Sequence, residues 1–396
     1  MRVANSQLEP IAIVNFNQSK CIGLAKQYYP NDLVVLKAAE SFSPENFLRL
    51  FITAHGMKPV GTWQTHTYAR YTDSKTLKDH FFLIPITQTR NDKQPSIQIE
   101  NGFLTIDDIQ TSIYPQSIPY TTPFWYFHYN PNHETVPYES MTLNLSPSCI
   151  ERCVVCAGAK TGRVNNGMDS TLSAQSVVKR IFNQHPEAKQ QLDSVAVVTG
   201  CFANFNELTS HLKDVRTAID KHSSPSTYRV LEHNVVTEEQ FEIVVGNLGY
   251  DVFITLECFD QTIRNIALNG KVGRKGRDSQ EFLQIIYNYV NYLEAHSELG
   301  KRFVRVTYLM GLDSLATTES FFQQLYEINK TLKNTIIVPW LSIFTAYNEG
   351  MRAIQRDDFG LRFLLDSIAL CKNYFDHDLL EHNSGGTSDG YARGLF

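Results

Sequence analysis

Met141-Thr142-Leu143-Asn144-Leu145, followed by Ser146-Pro147-Ser148-Cys149-Ile150-Glu151-Arg152-Cys153-Val154-Val155-Cys156, puts a short strand directly before three cysteines spaced C-x3-C-x2-C. They are three of the seven cysteines in the chain. A loop with Gly158, Gly162 and Gly167 comes next, and then a helix. Three soft thiolates this close in sequence suit zinc or an iron–sulfur cluster. Spacings of three and two residues let one short loop turn its sulfurs inward without a long closure. No His or Cys follows soon after Cys156, so the fourth ligand of a closed zinc site is missing. A three-ligand site leaves one metal corner open for a substrate or cofactor. Chance cysteines, or one disulfide plus one thiol, are the plainer alternatives.

Downstream of this stretch the chain alternates strand and helix. Strands are expected at Thr142 to Leu145, Val195 to Thr199, Tyr228 to Leu231, Val252 to Leu256, Phe303 to Leu309 and Ile336 to Ile343. Helices are expected from Ser173 to Gln184, from Phe205 to His222, from Thr237, from Ser279 to Ala295, from Thr318 to Lys330 and from Asp357 to Phe375. Thr237 with Gln240 three residues on has the form of a capping box. Six strand–helix units in succession require parallel strands joined by right-handed crossovers. The pattern admits an open doubly wound sheet or a barrel. The tail after Phe375 is too short for the two further units of an eightfold barrel.

The cysteine spacing after a first strand resembles the radical S-adenosylmethionine (SAM) superfamily. The resemblance implies that Cys149, Cys153 and Cys156 hold three irons of a [4Fe–4S] cluster, with the fourth iron chelated by the amino and carboxylate groups of SAM. It implies an α/β fold, a partial (β/α)6 barrel over roughly Met141 to Asn348, with an additional N-terminal α+β region. It also implies reductive cleavage of SAM to a 5′-deoxyadenosyl radical that takes hydrogen from an unreactive carbon, fed by an electron donor such as flavodoxin or ferredoxin. The chain departs from the family at Val155, where an aromatic residue usually packs near the adenine. That substitution loosens the adenine contact and removes no ligand.

Ligands of barrels and open α/β sheets sit beyond the carboxyl ends of the strands, so strand ends supply the other candidates. Thr199-Gly200-Cys201 ends the second strand, and the resemblance implies that Thr199 and Gly200 meet the methionine amino group. A tight turn needing glycine explains Gly200 equally well. Glu232 and Glu257 end the third and fourth strands and are candidates for a ribose or substrate contact, against the commoner solvated carboxylate. The loop Asn269 to Asp278 is the most basic short run. Arg274 or Arg277 suits a planar carboxylate such as that of SAM through a two-pronged bond, although a solvated turn is the simpler reading. Met310 and Gly311 end the fifth strand, where glycine permits close approach of a ligand, and Asp313 stands where it can cap the next helix. Thr345 and Tyr347 end the sixth and suit adenine contacts. Cys201 and Cys258 are candidate catalytic thiols at strand ends, against the reading that each is plainly buried.

Residues 1 to 135 read as a separate α+β domain or wrap, 136 to 380 as the barrel, and 381 to 396 as a flexible tail or lid. In the first region Ile11 to Val14, Leu33 to Leu36 and Phe81 to Ile86 look like strands, Pro44 to His55 like a helix, and Ile97 to Ile106 like a hairpin turning at Asn101-Gly102. His55, His66 and His80 are spaced too irregularly for a metal site. The aromatic run Phe124 to Tyr129 is a candidate roof over the cysteines.

The 396 residues are 42% hydrophobic and 19% charged, with a net charge of −5 and no basic block, which argues against a nucleic-acid partner. No apolar run of membrane-spanning length and no secretory leader are read, and clustered cysteines fit a reducing, cytoplasmic setting. The chain lacks a cysteine-rich C-terminal extension, which favours a small-molecule substrate over a peptide. An iron–sulfur assembly or scaffold protein and a structural zinc protein are the competing classes.

Overall fold

The computed structural model describes residues 16–56, 66–72, 79–85, 94–100, 103–111, 114–116, 125–129, 138–143, 153–155, 173–198, 202, 204–232, 234–268, 278–296, 302–344, 346, 349–376 and 380. The chain forms two compact units. One comprises Met1–Ser117 with Gly360–Leu365, the other Ile118–Phe359 with Asp366–Phe396.

The first unit opens with three helices, α1 (Gln18–Tyr28), α2 (Leu33–Ser41) and α3 (Pro44–His55). The strand expected at Leu33 to Leu36 is the first turn of α2. Asp32 caps it by accepting from the Val34 and Val35 amides, and Val35, Ala38 and Ala39 bury one face. A four-residue apolar run fits either period, and here the cap decides. α3 forms as expected, with Ser43 accepting from the Asn46 amide and Pro44 in the first turn. His55 lies partly buried, its Nε2 2.8 Å from the Tyr29 hydroxyl, and desolvation lowers its pKa to about 4. β1 (His66–Thr72) pairs antiparallel with β2 (Asp79–Pro85), while β3 (Ile97–Glu100), β4 (Phe103–Ile106) and β5 (Ile109–Gln110) make a second small sheet. β3 and β4 pair antiparallel with Glu100 opposite Phe103, the strand pairing expected of a hairpin, while Asn101 and Gly102 lie outside the described residues. β6 (Tyr114–Gln116) completes the first sheet.

The second unit holds a seven-stranded sheet in the order β13-β12-β11-β10-β9-β8-β7. Its strands are β7 (Trp125–Tyr129), β8 (Tyr138–Leu143), β9 (Ser194–Val198), β10 (Thr227–Glu232), β11 (Tyr250–Glu257), β12 (Arg302–Met310) and β13 (Thr335–Ile343). β8 to β13 are parallel, and each lies beside its predecessor in sequence. A doubly wound sheet would reverse strand order at a switch point. This one never does, so the unit is singly wound, in the order of a partial barrel of six strand–helix units. β7 pairs antiparallel with β8. Trp125–Tyr129 of the aromatic run expected to roof the cysteines is therefore one of the two outermost strands in the sheet order.

Helices α4 (Ala174–Gln184), α5 (Ala188–Gln191), α6 (Phe205–Asp220), α7 (Glu238–Phe241), α8 (Gln261–Ala267), α9 (Ser279–Ala295), α10 (Leu315–Asn329), α11 (Glu349–Ile354) and α12 (Leu361–Tyr374) are the remaining α-helices among the described residues. The Thr237–Gln240 capping box is present, and α7 runs on into a π-helical turn at Glu242–Asn247. α8 and α11 were not legible as helices, and α12 begins at Leu361, later than expected. Among the described residues no helix is long and apolar enough to cross a membrane. The Tyr250 hydroxyl donates to the Leu212 carbonyl of α6, and the Tyr308 ring stacks on Phe321 of α10, so one face of the sheet is sealed by helices.

α9 starts at a second capping box, in which Asp278 accepts from the Glu281 amide at 2.8 Å and Glu281 accepts from the Asp278 amide at 2.7 Å. Asp278→Ala should cost about 1 kcal/mol, read as a lower urea midpoint at unchanged slope, while Asp278→Ser stays close to wild type.

Candidate functional site

The site is built where β11 and β12 end. β11 carries an irregularity between Thr255 and Glu257, and Glu257 has a left-handed backbone, φ 71°. A non-glycine residue in that region is strained and persists only where its surroundings hold it. Arg264, on α8 and 1% exposed, supplies the restraint. Its Nη1 donates to the Leu256 carbonyl at 2.7 Å and to the Cys258 carbonyl at 2.8 Å, and its guanidinium lies 4.1 Å from the centre of the Phe282 ring. The carbonyls on both sides of Glu257 are thus gripped by one charged group.

Asp313, after β12, closes the same turn from the other side. Its carboxylate accepts from the Phe259 amide at 2.6 Å, the Asp260 amide at 3.0 Å and the Tyr308 hydroxyl at 2.6 Å. Burial raises its pKa, and these three donors pull it back. Asp313 therefore does not cap the following helix. Ser314 does, accepting from the Thr317 amide at 3.0 Å.

α8 then reaches the cysteine loop. The Val154 amide donates to the Ala267 carbonyl at 2.7 Å. Val154 and Val155 pack against a buried apolar cluster of Cys258, Ala267, Leu312, Phe344, Ala346, Met351 and Ile354. Cys153 sits at the start of this turn and is partly exposed. The turn thus rests on an apolar floor while Cys153 keeps access to solvent.

The remaining candidates fall as follows. Glu232 is 2% exposed, and its Oε1 accepts from the Asn234 amide at 3.0 Å. Burial raises the Glu257 pKa to about 7, with the Arg264 charge acting against it. Cys258 is fully buried in the apolar cluster, and burial, followed by the Asp313 charge, pushes its thiol well above the ordinary value. Met310 is buried, and its carbonyl accepts from the Phe344 amide at 2.8 Å. Gly311 has φ 107°, and a Cβ there would stand 2.6 Å from Cε2 of Phe359. Among the described residues it is the Phe359 ring that makes the close approach at Gly311. Cys149, Cys156, Thr199, Gly200, Cys201, Arg274, Arg277, Thr345 and Tyr347 lie outside the described residues. Among the described residues no three His, Cys, Asp or Glu side chains come together as a metal site. Sequence reasoning missed Arg264, and α8 that carries it.

No protein-family model and no curated protein matches the chain. Among solved structures it is similar to the FeFe-hydrogenase maturase HydG from Carboxydothermus hydrogenoformans, with a TM-score of 0.40 and 14% identity over 63% of this chain and 57% of that one. It is also similar to anSMEcpe with bound AdoMet, with a TM-score of 0.39 and 12% identity over 62% of each chain. The chain spans less than two thirds of the length of either, and likenesses this weak carry no chemistry across.

Two changes test the turn. Asp313→Ala leaves the part-buried Phe259 and Asp260 amides without their acceptor, while the Tyr308 hydroxyl keeps Thr318 at 2.8 Å, and should cost about 2 kcal/mol, read by urea unfolding. Glu257 has its folded pKa raised from 4.5 to about 7, so its contribution to stability is complete below 4.5 and is lost as pH rises through 7. Glu257→Gln should match wild type at pH 4 and exceed its stability at pH 8 by on the order of 1–2 kcal/mol; equal stability at both pH values would remove the assignment.

Proposed function

We propose that the chain is a radical SAM enzyme acting on a small molecule. In this reading Cys149, Cys153 and Cys156 hold a [4Fe–4S] cluster whose open corner takes SAM. When bound, that pair supplies one-electron cleavage of the sulfonium and a 5′-deoxyadenosyl radical able to remove hydrogen from an unreactive carbon. The observation that carries the reading is the partly exposed Cys153 turn after the first of six parallel, singly wound strands, fastened to α8 and floored by the apolar cluster. Three thiolates with no fourth protein ligand in sequence are the donor set that such a cluster needs.

The chain's own residues then orient and exclude. Val154 and Val155 close the turn's inner side with apolar surface and keep water from it. Glu257, held in one conformation by Arg264, offers a carboxyl that binds a proton near neutral pH and can pair with a ribose or substrate hydroxyl. Cys258 stays a neutral thiol. Thr199, Gly200, Arg274, Arg277, Met310, Gly311, Thr345 and Tyr347 belong to the same proposal as SAM contacts, with Glu232 as a further ribose or substrate contact and Cys201 as a second thiol. A one-electron donor such as flavodoxin or ferredoxin, and the reducing cytoplasm, fit an oxygen-sensitive centre of this kind.

The test is anaerobic reconstitution with iron and sulfide, followed by dithionite and SAM, with products read by mass. Wild type should show visible sulfur-to-iron absorption and form 5′-deoxyadenosine. Cys153→Ala should form less than about one hundredth as much while keeping its urea midpoint. Equal formation in that variant refutes the site, a cluster without 5′-deoxyadenosine points to an assembly or scaffold protein, and a colourless zinc-filled chain points to a structural site.

A further inference from the structure

The sheet of the second unit carries cationic charge that its own residues do not neutralise. Tyr250 and Tyr308 turn onto helices, and side chains alternate along a strand. Asp251 and Phe253 of β11, with Phe303, Arg305 and Thr307 of β12, therefore occupy the other face. Strand register sets Arg229 beside Asp251, Phe253 beside Arg305, and Thr307 beside Trp340. The Arg305 guanidinium lies over the rings of Phe253 at 5.0 Å and Phe303 at 5.4 Å, and the Phe253 and Trp340 ring centres are 4.2 Å apart.

Among the described residues Arg305 makes no hydrogen bond and no ion pair. The carboxylate nearest in register, Asp251, is already bound by Arg302 at 2.8 Å. Arg229 reaches the Ser194 hydroxyl at 3.3 Å, while its Nε is buried without a partner. Thr307, 7% exposed and two residues on from Arg305 on the same face, has a hydroxyl that is also buried without a partner. Burial, with the Arg229 charge acting in the same direction, draws the Arg305 pKa down to about 10. Buried cations are ordinarily paired and buried donors ordinarily satisfied. Here two half-buried guanidiniums and a buried hydroxyl face one way; of the two carboxylates whose charge acts on Arg229, Asp251 is bound by Arg302 and Asp193 accepts from the Ser226 hydroxyl at 2.7 Å. Guanidinium forks match carboxylate and phosphate oxygens.

We infer that this face binds the anionic group of the substrate, a carboxylate or a phosphate, between Arg305 and Arg229 with the Thr307 hydroxyl as a third donor. The inference rests on the proposed enzyme reading only in calling the ligand a substrate. Arg305 lies five residues before Met310, about 16 Å along the strand from its carboxyl end. The charged group is accordingly the end of the molecule remote from the reacting carbon.

Titration of the full-length, reconstituted protein with inorganic phosphate and, separately, with succinate at constant ionic strength tests this by calorimetry and by the shift in Tm. Saturable binding of one probe is expected, and which one binds separates a phosphate ester from a carboxylic acid. Arg305→Met should weaken that binding at least tenfold, Arg305→Lys less so, and Thr307→Val severalfold without lowering the Tm of the unliganded protein. Cys153→Ala should bind the probe as wild type does, so loss of the cluster chemistry and loss of the anion site are read independently. Binding of neither probe, or equal affinity in wild type and Arg305→Met, overturns the inference.

Discussion

The hydrogen bond from the Val154 amide to the Ala267 carbonyl, 2.7 Å long, joins the cysteine turn to the segment that follows β11. The turn follows the first parallel strand of the sheet, and α8 follows the fourth, so neither is the other's neighbour in sequence. A loop bearing three cysteines has little apolar surface of its own with which to choose a conformation. It borrows order from α8 through this bond and through the packing of Val154 and Val155 on the cluster around Cys258. A single such bond contributes only about 1 kcal/mol. Its effect is large because the partner helix is itself held rigidly.

That rigidity comes from two buried charges of opposite sign. Arg264 grips the Leu256 and Cys258 carbonyls, and Asp313 grips the Phe259 and Asp260 amides. Between them they satisfy backbone groups on both sides of a turn that leaves the sheet in a strained, left-handed step at Glu257. Desolvating an arginine and an aspartate costs several kcal/mol each. The cost is offset because their bonds are charge-assisted and mostly directed at the backbone of the turn, with the Tyr308 hydroxyl as a further donor to Asp313. A buried apolar pair in the same places would leave the turn without partners. The charges thus serve to define one path for the chain, and the strain at Glu257 is a product of that path.

Much of this fold was legible in the residues. The six strands of the parallel sheet, the capping box at Thr237 and the antiparallel pairing of β3 with β4 all follow from periodicity and cap chemistry acting over a few residues, whereas the capping box at Asp278 was not read. What escaped has physical reasons. Leu33 to Leu36 is apolar over too short a run to separate helix from strand, and the Asp32 cap decides it. Trp125 to Tyr129 is aromatic enough to be a strand or a surface, and only pairing with β8 distinguishes the two. Arg264 sits in an unremarkable polar segment, Gln261 to Asn265, where nothing local signals burial. Its role depends on carbonyls freed by the irregularity in β11, and that irregularity is a tertiary event. Glu257 was legible as a strand-end carboxylate, but its raised pKa reflects burial that no sequence window contains.

The singly wound order has a consequence for chemistry that the individual strands do not reveal. Because each parallel strand lies beside its predecessor, all six carboxyl ends fall along one rim, and the segments after β8, β11 and β12 share it. The opposite face of each strand is sealed by helices, as Tyr250 and Tyr308 show. A polar side chain on the face away from these helices cannot find partners in the strands' own backbone, since the sheet has already used them in its ladder. Arg229, Arg305 and Thr307 stand in that position. A guanidinium such as that of Arg305, set against Phe253 and Phe303, costs stability when left unpaired, and a ligand anion would supply the charge that the sheet itself does not.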